Sequence, residues 1–259
     1  GLIFQKTIKL DEKYLFKIKQ EIKNNTSSKI NLYPYSQITR NKKPDDVMGF
    51  YILHEGFIGV FDGELKEDDY DDIKDKKIVR NSDNGWLGIT DKYWVTAIVP
   101  PKDKNFKSTF LYKDNFRANY ILNSPVTIDP KSTSDNEVRL FVAAKEVETV
   151  DGYAESENIE KFDLTIDWGW FYFFTKPLFF VIDYLFKLSG NFGIAIVLIT
   201  LAIRIIFFPL ANYSFRSMAK MKAVQPEMTR LKELHKEDKV KLQQEMMSLY
   251  RKEKINPAS

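Results

Sequence analysis

Arg204 is the only charged residue in the run Gly193–Leu210, GIAIVLITLAIRIIFFPL. A guanidinium stays protonated at physiological pH and offers five N–H donors. Its chemistry is therefore attraction and hydrogen bonding, with no bond made or broken. At roughly 1.5 Å per helical residue the run covers about 27 Å, close to a ~30 Å hydrocarbon core. Its twelve large aliphatic and Phe side chains favour insertion by roughly 4–7 kcal/mol together, against about 2.5–3.5 kcal/mol for a central Arg, so the balance favours spanning. Arg204 lies roughly 9 Å from Leu210 and roughly 16 Å from Gly193. Helical Cα–Cβ bonds lean toward the N-terminus, here the farther side, which opposes escape to the nearer surface. We therefore expect an aqueous or polar cavity at mid-depth. The alternative is an Arg paired with a carboxylate or carbonyl of another helix that only fixes packing. Thr200, one turn earlier, shares the face of Arg204 and extends a polar stripe, unless its hydroxyl bonds its own helix backbone.

Other residues with chemical potential carry less. His54 is the only histidine before the apolar run, and sugar mutarotation on a β-sandwich wants a pair of acid/base side chains, so catalysis is not expected. There is no cysteine, which excludes disulfides, thiolate metal sites and a thiol nucleophile. The acidic stretch Glu64–Asp72, ELKEDDYDD, lacks the Gly and terminal Glu of a calcium loop and is expected as a solvated loop. Trp86, Tyr93 and Trp94 have the shape for stacking on a sugar, but at strand spacing they are expected in the core. Neither a Walker A pattern nor a GxGxxG occurs. No metal or cofactor is expected, and the protein is not expected to be an enzyme.

Four segments position these residues. Residues 1–165 alternate with period two between turn signals, with runs at Phe4–Leu10, Tyr14–Ile22, Ile30–Tyr35, Phe50–His54, Phe57–Phe61, Trp86–Ile89, Trp94–Val99, Thr109–Tyr112, Asn119–Leu122, Val126–Ile128 and Val138–Ala143. Many short strands at hairpin spacing predict an antiparallel β-sandwich. Residues 166–191 place Lys176, Asp183 and Lys187 on one narrow stripe of an otherwise aromatic and aliphatic helix. That pattern fits a helix lying in the membrane interface, with Trp168, Trp170 and Tyr172 at headgroup level and Pro177 in the first turn. A second spanning helix is the competing reading. Residues 192–211 form the spanning helix. In residues 212–259, Met221, Val224, Met228, Leu231 and Leu234, then Leu242, Met246 and Leu249, repeat at three and four. They predict an antiparallel helical hairpin whose second helix is capped by Asp238 and whose first is interrupted or kinked by Pro226.

Charge orients the chain. Residues 212–259 hold eleven Lys/Arg and six Asp/Glu, while the whole chain is at +3. The positive excess after the span puts the tail in the cytoplasm and residues 1–191 outside. A basic tail also suits anionic lipid or RNA, or is simply a solvated face; no specific nucleic-acid sequence is implied. The five methionines from Met218 to Met247 form either an adaptable binding face or filling between two helices. An exported domain needs a targeting signal, so further polypeptide is expected upstream; more is expected beyond Ser259, where no element closes the hairpin.

The order TIDWGW, KPLF, SGNFG, ITLAIRIIFFPL, SMAKMKAVQPEM, QQEMMSLYRKEKINP resembles the YidC/Oxa family of membrane-protein insertases, densely over residues 165–259. FQKTIKL at Phe4 and GWLGITDKYWVTAIVP at Gly85 extend the resemblance more loosely over residues 1–164. It implies a multidomain α+β membrane protein of the bacterial inner membrane, multi-pass when complete. A super-sandwich-like periplasmic domain would be followed by an interfacial amphipathic helix, the first helix of a five-helix core, and a cytoplasmic hairpin. Arg204 and Thr200 would line a hydrophilic groove. Nascent membrane proteins would be the substrates, and membrane lipid, the Sec translocon, and ribosomes or targeting factors at the hairpin the partners. The remaining core helices are not in this sequence. The rival reading, which the residues alone leave open, is a membrane-tethered sandwich that binds glycan or a protein partner.

Overall fold

The structure is a computed structural model that describes residues 1–44, 53–235 and 238–252. The chain divides into two units, Gly1–Tyr172 and Phe173–Ser259.

In the first unit the strands run β1 (Leu2–Leu10), β2 (Leu15–Asn24), β3 (Ile30–Leu32), β4 (Tyr35–Arg40), β5 (Gly56–Phe61) and β6 (Glu64–Asp69), then helix α1 (Tyr70–Asp75). They continue with β7 (Ile78–Ser82), β8 (Gly85–Thr90), β9 (Trp94–Val99), β10 (Phe106–Lys113), β11 (Asn115–Leu122), β12 (Val126–Ile128) and β13 (Thr133–Ala144). Helix α2 (Val147–Ser156) and a 3-10 turn at Phe162–Thr165 close the unit. A seven-stranded sheet is ordered β1-β2-β13-β9-β8-β5-β6, a four-stranded sheet β4-β11-β10-β7, and β12 pairs with β3. The described pairings are antiparallel, as the hairpin spacing predicts.

Both faces of the large sheet are covered at its centre. Phe57, Leu87, Ile89 and Ile98 pack with Phe106, Phe110, Phe116 and Tyr120 of the smaller sheet. Ile58, Val60, Trp86, Val95 and Phe141, pointing the other way, pack with Val150 and Tyr153 of α2 and with Phe162. Every residue of β5 and β8 is buried, which is why these strands are continuous apolar or glycine runs without alternation.

Several expectations are corrected. The acidic stretch is not a loop: it forms edge strand β6 and the start of α1. Asp68 on it is buried because Arg80 takes both its oxygens, at 2.7 and 2.9 Å, while the guanidinium lies over the rings of Phe61 and Phe110. Trp86 is in the core, but Tyr93 and Trp94 are exposed, because they sit at the β8–β9 turn where the sheet ends. Of the strand expected at Phe50–His54, residues 50–52 lie outside the described residues and His54 is not in a strand.

In the second unit α3 spans Tyr172–Ser189, α4 Phe192–Leu234 and α5 Lys239–Lys252. Gly190, at φ +67°, ends α3, and its amide donates to the Phe186 carbonyl at 2.8 Å. The Asn191 side chain then caps α4 by accepting from the amides of Gly193 and Ile194. Pro177 is not in the first turn of α3, because the helix begins at Tyr172; it is the sixth residue of the helix and contributes no amide N–H to it. Nor does Pro226 interrupt its helix, since α4 is continuous over 43 residues and holds both Pro209 and Pro226. At 1.5 Å per residue α4 is about 65 Å long, roughly twice a hydrocarbon core. The expected boundary at residues 211 and 212 is thus a change of side chains and not a helix end.

Candidate functional site

Among the described residues, α4 is the one helix long and apolar enough to cross a membrane. From Phe192 to Phe215 Arg204 is its only charge, and its side chain is exposed. None of the described ion pairs includes it. Five residues on, Pro209 has no N–H, so the Ile205 carbonyl beside Arg204 cannot accept from its usual i+4 donor. A cation and a released acceptor thus fall within one turn of each other. That pair can hold water or bond a polar group. Thr200 stands one turn before Arg204, but its hydroxyl donates to the Ile196 carbonyl at 2.7 Å. It adds an acceptor to the stripe while its proton is committed.

The expected anchor residues part company. Trp170 is 95% exposed, and Tyr172 is exposed as well. The Trp168 indole N–H instead donates to the Asp163 carbonyl at 3.3 Å, turning that ring toward its own unit. On α3, Lys187 and Asp183 pair at 2.8 Å across one turn, and Lys176 lies on the same stripe. The stripe is helical, with aromatic side chains exposed around it.

At the other end of α4, Met221, Val224, Met228 and Leu231 are the less exposed positions, as are Leu242, Met246, Leu249 and Tyr250 on α5. The Tyr250 hydroxyl reaches the Met228 sulfur at 3.8 Å. The three-and-four spacing therefore marks the seam between α4 and α5. Leu234 departs from it, exposed at the last residue of α4. Asp238 accepts from the Lys241 amide at 3.0 Å, the cap its position predicts.

Periodicity gave no sign of one polar cluster, since its members come from distant segments. The His54 amide donates to Asp167, and its Nδ1 lies 3.6 Å from Asp69. Lys145 donates to the Thr90 hydroxyl at 3.0 Å. Burial lowers the Lys145 pKa, against the pull of Asp167, Asp91 and Glu55. Nε2 of His54 faces the Phe57 carbonyl at 2.9 Å. That contact ties the His54 ring to the start of β5.

Comparison with known proteins bears on both units. The family model described as the YidC periplasmic domain matches residues 1–181, and that described as 60Kd inner membrane protein matches residues 184–259. The chain is 56% identical over 259 residues to a membrane protein insertase YidC of Pelagibacter ubique, covering 100% of this chain and 46% of that protein. It is 45% identical to the protein of that name from Brucella suis, covering 99% of this chain and 43% of the relative. It is 47% identical to that of Nitrobacter hamburgensis, covering 100% and 45%. The chain thus spans about half the length of the curated relatives it matches.

Proposed function

Because the chain belongs to the YidC family of membrane-protein insertases, we propose that α4 supplies one wall of a hydrophilic groove, completed by other helices of the whole protein, that assists insertion and folding of inner-membrane proteins. The observation that carries this reading is Arg204, exposed at the middle of an apolar helix beside the carbonyl that Pro209 releases. A tether would need neither. In a low-dielectric surrounding the field of this cation is poorly screened. It draws the hydrophilic, often acidic, end of an incoming chain partway across, which shortens that end's remaining path through lipid. The apolar segment of the substrate then partitions sideways by its own transfer free energy. Thr200 adds polarity one turn away, and no covalent step is required.

The remaining parts have roles in the same scheme. Residues 1–165 are the periplasmic sandwich. Residues 166–191, with Trp168, Trp170, Tyr172, Lys176 and Lys187, lie along the outer membrane-water interface. Residues 192–211 span the membrane, and residues 212–259 are cytoplasmic. There the Met-lined seam of Met221, Met228, Leu231 and Met246 supports a hairpin that meets nascent chains, ribosomes or targeting factors. The Sec translocon is a partner for substrates that need it.

The test replaces Arg204 in the full-length protein and follows insertion of an acidic-tailed substrate by protease protection. Arg204→Ala should slow insertion markedly, and Arg204→Lys should largely preserve it. Equal insertion by wild type and Arg204→Ala would leave Arg204 a packing residue only.

A further inference from the structure

Strand register collects one end of the large sheet into a single rim. The β1–β2 turn (Asp11–Tyr14), the end of β13 at Ala144, the β8–β9 turn (Asp91–Tyr93), the start of β5 at Gly56 and the end of β6 at Asp69 all fall there. The pairs Leu10 with Phe16, Ala144 with Trp94, Thr90 with Val95, and Gly56 with Thr90 and Asp69 fix this. At this same end the chain leaves the sandwich, since Asp167 accepts from the His54 amide two residues before Gly56. Five residues after Asp167 the chain enters α3, and then the apolar helix α4.

The rim carries side chains that a free domain surface would not need. Tyr93 is 64% exposed and Trp94 61%, at the tip of a tight turn closed by the Asp91 amide on the Trp94 carbonyl at 2.8 Å. Lys92 lies over the Tyr93 ring, 5.2 Å from its centroid, and Tyr14 and Lys13 are exposed two strands away. Several carboxylates of the rim are engaged by donors. Asp91 pairs with Arg40 at 2.6 Å, Asp11 accepts from Tyr153 at 2.7 Å, and Glu55 accepts from the Lys92 amide at 2.9 Å. Glu12 and Asp69 remain outward. Exposed Tyr and Trp flanked by Lys, on the side from which the chain enters a membrane-crossing helix, are the residue types of a headgroup-level belt.

We propose that this rim, through Tyr93 and Trp94, seats on the phospholipid headgroup layer that α4 crosses. The sandwich is then held against the bilayer by its own turn as well as joined to it by the chain. The occupant is lipid, because exposed Tyr93 and Trp94 follow Lys92 at the end of the sheet from which the chain runs on to the apolar helix α4, and these are the residue types of a headgroup-level belt.

The experiment places the fluorophore NBD on a single cysteine in the full-length protein, cleared of any other cysteine, in phosphatidylethanolamine–phosphatidylglycerol vesicles. Tyr93→Cys reports the rim. Lys102→Cys, exposed beyond the far end of β9, is the control, and Val197→Cys on α4 reports the span separately. At position 93 a headgroup nitroxide lipid should quench emission several-fold more than at position 102, while aqueous iodide should quench position 102 alone. Quenching of position 93 by iodide and not by lipid would overturn the proposal. So would protection from both quenchers, which would mean that another part of the protein covers the turn. If position 197 escapes a deep acyl-chain nitroxide, the spanning role of α4 fails instead, independently of the rim.

Discussion

Asp167 bridges two backbone segments: Oδ2 accepts from the His54 amide at 2.9 Å, and Oδ1 of the same carboxylate accepts from the Gly169 amide at 2.8 Å. One end of this bridge is the approach to β5, buried on both faces, and the other is the exit toward α3. The carboxylate therefore fixes where the chain leaves the sandwich. Hydrogen bonds to a charged group contribute about 1.5–3 kcal/mol, and the residue is half-buried. Asp167→Ala should lower the unfolding free energy of the first unit by about 2 kcal/mol and open Trp168–Tyr172 to limited proteolysis. Asp167→Asn, which keeps one acceptor, should fall between. An unchanged proteolysis pattern in the Ala variant would show that the exit is held by other contacts.

A second bridge sets a pH window. The Tyr153 hydroxyl donates to Asp11 Oδ2 at 2.7 Å. Burial pushes the Asp11 carboxyl up, but the Tyr153 bond, the amides of Leu15 and Lys13 and the charge of Lys17 outweigh it and hold the group below its ordinary value. Burial, then the bond to Asp11, drives Tyr153 upward. A depressed acid contributes stability above its unfolded pKa and loses it as pH falls through the folded one. For Tyr153 the unfolded chain sheds its proton first, so stability declines as pH rises past the ordinary phenol value of about 10. Asp11 is exposed, so solvent limits the effect. Tyr153→Phe should cost about 1 kcal/mol near neutrality and flatten both flanks of the stability-pH curve, as urea midpoints at several pH values would record.

The sheet was most legible where its strands are uniform. GFIGVF and GWLGIT stand out as runs because both faces of β5 and β8 are covered. Strand β7, IVRNS, was missed because it is short and its Arg80 belongs to a pair that only the fold assembles. Helices α1 and α2 were hidden by their charge: Tyr70–Asp75 reads as part of an acidic loop, and Val147–Ser156 carries acids and a central glycine. Arg204 needed no fold to be noticed, since its setting is local. The His54–Asp167 bridge, 113 residues apart, had no local signature at all.

Two glycines with the same freedom in sequence should respond to substitution with opposite signs. A Cβ on Gly88 would collide with the Thr96 carbonyl oxygen and lie 2.9 Å from the Ala97 Cα. Strand β8 is paired on both sides, with β5 and β9, so neither backbone can yield. Gly88→Ala should destabilise the first unit by about 1–3 kcal/mol. Gly152 is inside α2, where an added Cβ meets nothing within 4 Å. There Ala lowers the entropy of the unfolded chain, so Gly152→Ala should stabilise by about 0.4–1 kcal/mol. Urea denaturation of the two variants side by side checks both signs.

The hairpin offers a test that separates its cap from its seam. Asp238 precedes α5 and accepts from the Lys241 amide, while its carbonyl accepts from the Leu242 amide at 3.0 Å. Loss of a capping side chain costs about 1 kcal/mol, roughly a fivefold change in local opening. Asp238→Ala should raise hydrogen exchange at Lys241 and its neighbours by about that factor, and Asp238→Ser should restore protection, because a hydroxyl also caps. The seam is removed independently by Met228→Ala, which deprives Tyr250 of its sulfur contact and should loosen the facing turn of α5 without touching its first turn. If both variants raise exchange over the whole of α5 alike, the helix opens as one unit and the cap has no separate role. If the two patterns stay local and distinct, α5 is pinned at both ends, by its cap and by its seam.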